Sequence, residues 1–310
     1  MAKKEKVALD GLDKFNRISN PTNALFNVIF ILISLTCIIP IILVLSISVS
    51  SEASIQEFGY SLWPREFSVE GYTFLLQQGT MILQSLGVSL FVTIVGTVLG
   101  VLLTTLMGYS MSRPAYKLKG LLTWIVFIPM VFNGGLVSTY FIVGNLLGLK
   151  NTIWALILPL VVSSFNVIIC KTFFKQTIPD SLIESGKIDG AGQFTIYFRI
   201  VLPISLPLLA TIGLFLCFAF WNDWYQSLLY IDEPKLKSLQ ALLQSILTNI
   251  TALAQQIATV GGSTAELIAN MPQEAARMAI VVIIVFPIAC AYPFFQKYFI
   301  SGLTVGAVKG

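Results

Sequence analysis

Histidine is absent from the 310-residue chain, and charged side chains make up only 11% of it. Without histidine, the chain has no imidazole for a metal site, for a Ser-His-Asp triad or for a proton relay. It also lacks the phosphate-binding pattern GxxxxGK[ST], so we expect no nucleotide to be bound by that device. Because soluble domains carry about 25% charged residues, the scarcity of charge, together with 56% hydrophobic residues, predicts an integral membrane protein.

Cysteines are few, and the basic residues are scattered. The cysteines lie inside or beside apolar segments, without the spacing of metal ligands; they are Cys37, Cys170, Cys217 and Cys290. This arrangement predicts packing thiols rather than disulfides or a zinc site. The formal net charge is +4, and the lysines and arginines are spread over several loops. We therefore expect no nucleic-acid partner.

Long apolar runs dominate what is present, and we predict six membrane spans, at about 24–50, 82–111, 121–146, 152–174, 206–230 and 277–299. A spanning helix needs about 20 residues and a signal-peptide core only about 7–15, so the first run predicts an uncleaved span. The predicted fold class is an all-α integral membrane protein, with a polar N-terminal segment at 1–23 and a single transmembrane domain at 24–310. In the second span, Gly96 and Gly100 form a GxxxG pattern, which favours the close approach of another helix.

The distribution of basic residues predicts the orientation of the spans. Six spans put both termini on one side, and a cytoplasmic placement of the termini assigns fourteen lysines and arginines to the cytoplasm and five to the outside. The segment 176–205 is then cytoplasmic, and so is the tail at 300–310. The segment 231–276 is then extracellular, and its 231–272 part is predicted to be one amphipathic helix broken at Gly261 and Gly262.

Residues 176–205 form a charged, glycine-bearing segment, here called the two-helix loop. Pro179 fits the start of a helix, and Asp180 or Ser181 is predicted to cap it with a side-chain oxygen. Gly190 permits backbone angles that a Cβ disfavours, so a sharp turn into a second helix is expected. Aromatic residues are expected on that second helix, and prolines at the start of the next apolar run: Phe194, Tyr197, Phe198, Pro203 and Pro207.

The pattern E-S-G-x3-G-x9-I-x-L-P in this loop resembles the EAA loop of permease subunits in bacterial ABC importers of type I. Asp189, Gly190 and Ala191 match the D-G-A version common in sugar importers, whereas Ser185 and Gly186 replace the family's two alanines. The resemblance implies that ATP and Mg²⁺ are held by a separate ATPase and that this chain binds no cofactor. It implies that the ATPase is contacted through Glu184, Ser185, Gly186, Asp189, Gly190, Ala191, Phe194, Phe198, Ile200, Leu202 and Pro203.

Two of these acids also have a purely local interpretation. Glu184 follows Ser181 by three residues, so the pair fits a capping box that satisfies the start of its own helix. Asp189 is either a solvated loop acid or a side chain that fixes the turn at Gly190, because aspartate often bonds nearby backbone donors.

Two further stretches extend the resemblance. The sequence QKYFISGLTVGAVKG, from Gln296 to the end, is similar to the C-terminal signature of maltose-type sugar permeases, whose tail reaches toward the ATPase. It implies tail contacts by Gln296, Lys297, Gly302 and Lys309. The segments 133–159 and 221–230 resemble the oligosaccharide branch of LplC-like permeases, so the resemblance covers most of the chain beyond residue 120.

Polar residues at membrane depth are candidates for a substrate path, because they are costly there and default to functional roles. Asparagine beside aromatic rings offers a sugar both hydrogen bonds and flat apolar faces. The candidates are Asn133, Asn166, Trp221, Asn222, Trp224 and Tyr225. The alternative is that they join helices by hydrogen bonds and lie at the membrane interface as aromatic anchors.

The residues and the resemblance together predict one half of an importer for a sugar or an oligosaccharide. The partners implied are a second homologous permease, a dimer of ATPase subunits and an extracellular solute-binding protein. A permease of the same family for a non-sugar solute remains an alternative. An ion-coupled secondary transporter is the other, but Asp223 is the only carboxylate in the spans that could serve it.

Overall fold

The computed structural model describes residues 20–77, 79–260 and 272–307, and these ranges are helical. Within these ranges, β-pairing is limited to one isolated antiparallel bridge, between Ser50 and Phe67. The all-α prediction is therefore confirmed for the described ranges. The predictions made for residues 1–19, Gly261, Gly262 and Lys309 lie outside them.

The helices follow the order of the chain. They are α1 (Asn20–Ser48), α2 (Glu52–Phe58), α3 (Glu70–Leu76), α4 (Gly79–Ser112), α5 (Lys119–Val131), α6 (Gly135–Tyr140), α7 (Trp154–Ile157), α8 (Ser164–Thr177), α9 (Asp180–Ile188), α10 (Gln193–Ile196), α11 (Leu202–Ile204), α12 (Leu206–Trp221), α13 (Tyr225–Tyr230), α14 (Leu239–Val260) and α15 (Gln273–Ala307). Two π-helical segments, Phe141–Leu146 and Tyr197–Val201, and one 3₁₀ turn, Pro234–Leu236, complete them.

Three helices in the described ranges are long and apolar enough to cross a membrane, namely residues 21–48, 79–112 and 273–293. A fourth candidate is the run 193–204 followed by 206–221, which bends by 85° between its two parts. The runs predicted at 24–50, 82–111 and 277–299 therefore appear as α1, α4 and α15. The count of six spans stays a prediction.

The other three apolar runs were expected to be continuous helices, but each is interrupted in the structure. The run 121–146 is interrupted at 132–134. The next residue, Gly135, begins α6 with φ +80°. The run 152–174 contains only the single turn α7 before α8 begins at Ser164. The run 206–230 ends its first helix at Trp221 and resumes at Tyr225. The apolarity of each run as a whole conceals these breaks, because each is marked by only a few polar residues, such as Asn133 and Asp223.

Two boundaries also differ near the C-terminus. The amphipathic helix predicted over 231–272 begins only at Leu239, because residues 231–238 form a loop around the 3₁₀ turn at Pro234. The last span and the tail at 300–310 were predicted as separate segments, but α15 continues without a break to Ala307.

The chain divides into two compact units, one of residues up to 72 with 272–279 and one of residues 73–271 with 280–310. In the first unit, α2 lies against the start of α15. The Glu52 carboxylate is buried and accepts hydrogen bonds from the backbone N–H groups of Glu274, at 3.1 Å, and Ala275, at 3.1 Å. An acidic side chain at this place caps the helix and complements its dipole.

Replacing Glu52 with alanine is expected to destabilise the first unit by about 1–3 kcal/mol, because two backbone donors lose their acceptor in a buried place. Thermal unfolding in detergent is the measurement. Glu57→Ala is the matched control, since Glu57 lies on the same helix and is exposed. Equal melting temperatures for the two variants would contradict the capping role.

In the second unit, α4 is central and packs against α12 and α8. Small residues allow this approach: a Cβ on Gly96 would lie 2.6 Å from the Phe220 ring, and one on Gly100 would lie 2.7 Å from Leu216. The GxxxG pattern is therefore used as predicted, and the helix that approaches is α12 of the same chain. Gly108, eight residues further along α4, lies directly against Cys170 of α8.

A tight turn lies at residues 148–151, with φ +61° at Gly148 and +58° at Asn151. The Asn151 side-chain oxygen accepts backbone hydrogen bonds from Asp232, at 2.6 Å, and Glu233, at 3.2 Å. Lys150 adds an ion pair with Asp232 at 2.9 Å and lowers the pKa of that carboxyl. The turn is thereby joined to the loop that follows α13.

Candidate functional site

The two-helix loop folds as two short helices joined at a glycine, as predicted. Helix α9 ends at Ile188, the chain turns through Asp189 and Gly190, and α10 begins at Gln193. Gly190 has φ +78°, and its N–H donates to the Lys187 carbonyl at 3.0 Å. Glycine adopts this angle readily, whereas other residues are strained there, so Gly190 fixes the angle between the two helices.

The predicted caps are wrong. The residue that precedes α9 is Pro179, and neither Asp180 nor Ser181 caps the helix with its side chain. Asp180 instead forms an ion pair with Arg113 at 2.8 Å. The Ser181 carbonyl accepts the Ser185 hydroxyl at 3.0 Å, and in the described chain its own hydroxyl and the Glu184 carboxylate have no hydrogen bond, so the capping box is not formed.

The inner face of the loop packs against the second unit's core. Ile183, Ile196 and Tyr197 are buried there. Gly186 is buried too, and a Cβ on it would lie 3.3 Å from side-chain atoms of both Ile196 and Ile200. The glycine therefore lets α9 lie slightly closer to the second helix than the family's alanine would.

The outer face presents apolar side chains that the described chain leaves uncovered. Ile188 is 85% exposed, Phe194 73% and Phe198 47%. The carboxylates of Glu184 and Asp189 lie on the same loop and are exposed. Within the described residues, the Asp189 side chain makes no hydrogen bond to the turn, which favours the solvated-acid alternative over the turn role. Large exposed apolar residues on a loop are typical of an interaction surface.

The remaining residues predicted for ATPase contact have a structural place in this chain. Ala191, Ile200 and Leu202 are partly buried against the core. Pro203 lies in the first turn of α11 and Pro207 in that of α12, where the missing N–H is tolerated, as predicted.

Arg113, which the sequence analysis did not select, holds the base of the loop. It follows the C-terminal end of α4 and donates to Asp180, to the Phe174 carbonyl at 2.9 Å and to the Ile178 carbonyl at 3.3 Å. The only sequence signal is an arginine placed directly after a long apolar run. Such residues are common at the ends of spans, so this signal does not point to a contact 61–67 residues away.

A cavity of about 750 Å³ opens between the end of α4, the segment after it and the two-helix loop. Its wall includes residues of both charge signs: Arg113, Lys117, Lys187, Asp180 and Glu184. The loop is therefore held at its base, beside a cavity whose wall is mainly apolar with a few charged residues, while the described chain leaves its outer face uncovered.

Three of the six candidates for the substrate path form hydrogen bonds within the chain. Trp221 is buried and donates its indole N–H to the Ile284 carbonyl at 3.1 Å. Asn222 donates to the Phe218 carbonyl at the end of α12, and Asn133 accepts from the Gly135 N–H. The Trp221 bond joins two helices, as in the alternative interpretation, whereas the bonds of Asn222 and Asn133 are local to their own turns.

The other path and tail candidates are placed as follows. Asn166 is buried on α8, whereas Trp224 and Tyr225 are each 41% exposed and meet edge to face. In the predicted tail, Gln296 is an exposed residue of α15, and the backbones of Lys297 and Gly302 lie on the same helix. Their contacts with a substrate or an ATPase stay predictions.

Comparison with known proteins defines the class. Residues 96–305 match the family described as the binding-protein-dependent transport system inner membrane component. Protein LplC of Bacillus subtilis (strain 168) is 37% identical, with 88% of this chain and 90% of LplC covered. The polygalacturonan/rhamnogalacturonan transport system permease protein YtcP of the same organism is 36% identical, with 93% and 99% covered.

The fold agrees with that assignment. A solved structure of a bacterial ABC transporter involved in the import of the acidic polysaccharide alginate contains a chain that superposes with a TM-score of 0.77 at 24% identity, covering 91% of this chain and 99% of that one. The chain belongs to the family of inner membrane components of binding-protein-dependent transport systems. It is a membrane permease subunit and not an enzyme.

Proposed function

We propose that this chain is one half of a heterodimeric permease that imports a sugar or an oligosaccharide into a bacterial cell. In this proposal, it has six spans in a single transmembrane domain at 24–310, with both termini and the two-helix loop in the cytoplasm. The second permease completes the path, and an extracellular binding protein delivers the solute. The carbohydrate class is supported by the names of the similar proteins, which concern polygalacturonan, rhamnogalacturonan and alginate.

The observation that carries the coupling role is the uncovered outer face of the two-helix loop. Ile188 and Phe194 are the most exposed large apolar residues on it, and the free carboxylate of Glu184 lies on the same loop. The loop fits a cleft on a separate ATPase subunit that holds ATP and Mg²⁺. Closure of that subunit upon ATP binding favours one arrangement of the spans over the other, and the loop carries this bias.

The proposal is tested by purifying the tagged chain from its native membrane in detergent and identifying the proteins that accompany it by mass spectrometry. Recovery of an ATPase together with a second permease is the expected result, and an accompanying binding protein would indicate the solute class. A chain that purifies alone, and that moves solute in vesicles under an ion gradient, would instead support a secondary transporter.

Glu184→Lys is expected to lower recovery of the ATPase at least tenfold, because it reverses an exposed charge at the contact. Like charges brought together in an interface cost several kcal/mol. Quantitative mass spectrometry of the purified complex is the measurement. Glu233→Lys makes the same charge change on an exposed residue of the loop after α13 and should have no effect. Equal ATPase recovery with both variants would remove Glu184 from the contact.

A further inference from the structure

We propose that Arg113 is a positioning residue for energy coupling, which fastens the base of the two-helix loop to the end of α4 so that loop and span move together. The inference rests on the proposed function, in which the two-helix loop contacts a separate ATPase and moves with it. It goes beyond that function by naming the span that receives the motion and the side chain that makes the attachment.

The contacts of Arg113 are distributed over three consecutive parts of the chain. One terminal nitrogen donates to Asp180 at the start of α9, at 2.8 Å. The other donates to the carbonyl of Phe174, on the last turn of α8, at 2.9 Å. Both reach the Ile178 carbonyl between the two helices, at 3.3 and 3.4 Å. Because the guanidinium is planar and rigid, these contacts hold α8, α9 and the end of α4 in one geometry.

The side chain is also buried, unlike its partner. Arg113 is 11% exposed and Asp180 62%. The guanidinium carbon lies 5.4 Å from the centre of the Tyr109 ring, one turn earlier on α4. Arg113 thus lies against its own helix while it holds the loop, and solvent competes little for its donors. An exposed ion pair would give only a weak attachment.

A second attachment joins the other arm of the loop to the same helix. The Tyr197 hydroxyl, in the π-helical segment after α10, lies 2.7 Å from the Thr105 hydroxyl of α4 in a buried place. The Tyr109 ring lies between the two attachments, with ring centres 5.4 Å from Tyr197 and 5.8 Å from Phe174.

Two attachments have a mechanical consequence that one would not have. A loop held at one point can pivot without moving the span, whereas a loop held through both of its helices cannot. Since α4 packs along α8 and α12, a displacement of its end is transmitted to the centre of the second unit. Packed cores respond to such displacements as units, because they have few voids to absorb them.

The test uses the complete importer complex reconstituted in vesicles, with tritium-labelled oligogalacturonide as the transport probe. Three quantities are measured for each variant: ATPase recovered with the permease, ATP hydrolysed, and label taken up per ATP hydrolysed. The variants are Arg113→Ala, Arg113→Lys and Tyr197→Phe. Lys117→Ala is the matched control, since Lys117 is an exposed cation of the same segment without a hydrogen bond in the described chain.

With Arg113→Ala, ATPase recovery and hydrolysis are expected to stay near the wild-type values, while uptake per ATP falls about tenfold, the scale of a lost coupling contact. Arg113→Lys should recover part of the ratio, because lysine keeps the charge but cannot bond the carboxylate and both carbonyls in one plane. Tyr197→Phe should lower the uptake per ATP less than Arg113→Ala does. The double variant, which combines the two substitutions, should lower it more than either substitution alone. Lys117→Ala should leave the ratio unchanged.

A merely structural role predicts something else. Recovery, hydrolysis and uptake would then fall together, with an unchanged ratio of uptake to ATP in the complex that survives, and that result would overturn the proposal. Unchanged uptake in Arg113→Ala would overturn it as well. Failure of the proposed function is distinct from both, because wild-type protein would then recover no ATPase or take up no probe.

Discussion

The Gly190→Pro variant is expected to reach the membrane and to support no ATP-driven uptake. Proline fixes φ near −65°, whereas Gly190 has φ +78°. Proline also removes the N–H that donates to the Lys187 carbonyl at 3.0 Å. The turn between α9 and α10 must therefore take another path, which displaces the outer face of the loop from the geometry that we propose for ATPase contact. Solute uptake by cells, normalised to the amount of protein in the membrane, is the measurement.

Gly192→Pro is a closely matched control for this prediction. Gly192 lies two residues further on, with φ −68° and ψ 160°, angles that proline accepts. A Cβ there meets nothing within 4 Å. We expect Gly192→Pro to retain most uptake. Gly190→Ala should fall between the two, since the space at residue 190 is open and only the backbone angle is strained, by about 1–2 kcal/mol. Normal uptake by Gly190→Pro would refute the role of the loop as a lever.

The geometry of this loop was predictable because its determinants are local. A proline before the first helix, a glycine at the turn and prolines before the next apolar run each restrict their own backbone, and the structure uses Pro179, Gly190 and Pro207 in these ways. The prediction of caps failed for the opposite reason. Asp180 had two possible partners, the N–H groups of its own helix and a distant guanidinium, and only the fold brings Arg113 to it.

The spans were harder to predict than the loop. Composition alone indicates a membrane protein, but hydropathy does not reveal where the helices inside the apolar runs are interrupted. The apolar run 121–146 contains a short polar stretch around Asn133, whose side chain bonds the Gly135 N–H and stabilises a turn. An asparagine followed by two glycines is a turn signal, but the apolar residues on either side of it favour a continuous helix.

The effect of glycine at position 186, in place of the family's alanine, depends on what surrounds it. In the structure, the missing Cβ would meet Ile196 and Ile200 at 3.3 Å, a contact that both side chains can relieve by moving a few tenths of an ångström. Alanine would favour the helix by about 1 kcal/mol, so the two effects nearly offset each other. The departure from the family's alanine therefore changes the spacing of α9 and α10 more than their stability.

Gly108 carries the second large prediction, because α8 approaches the backbone of α4 directly at this residue. A Cβ on Gly108 would lie 2.4 Å from the Cβ of Cys170, and 3.0 Å from the backbone nitrogen of Lys171. The helices must therefore separate for any side chain larger than hydrogen. Gly108→Ala is expected to destabilise the second unit by about 3 kcal/mol, at the upper end for overpacking, because rigid atoms are in conflict. Thermal unfolding in detergent and the amount of protein in the membrane are the measurements.

The same helix supplies the control, and the partner helix supplies a rescue. Gly87 is also on α4, and a Cβ there meets nothing within 4 Å, so Gly87→Ala should leave the melting temperature unchanged or raise it slightly. Cys170→Gly removes the conflicting Cβ, and the double variant should be more stable than the sum of the two single effects predicts. The rescue should be partial, since the Lys171 nitrogen and the Cys170 carbonyl carbon, at 3.0 and 3.1 Å, remain in place. Strictly additive effects would show that α4 and α8 are not in contact at Gly108, and the path from the two-helix loop into the core would then have to run through another part of α4.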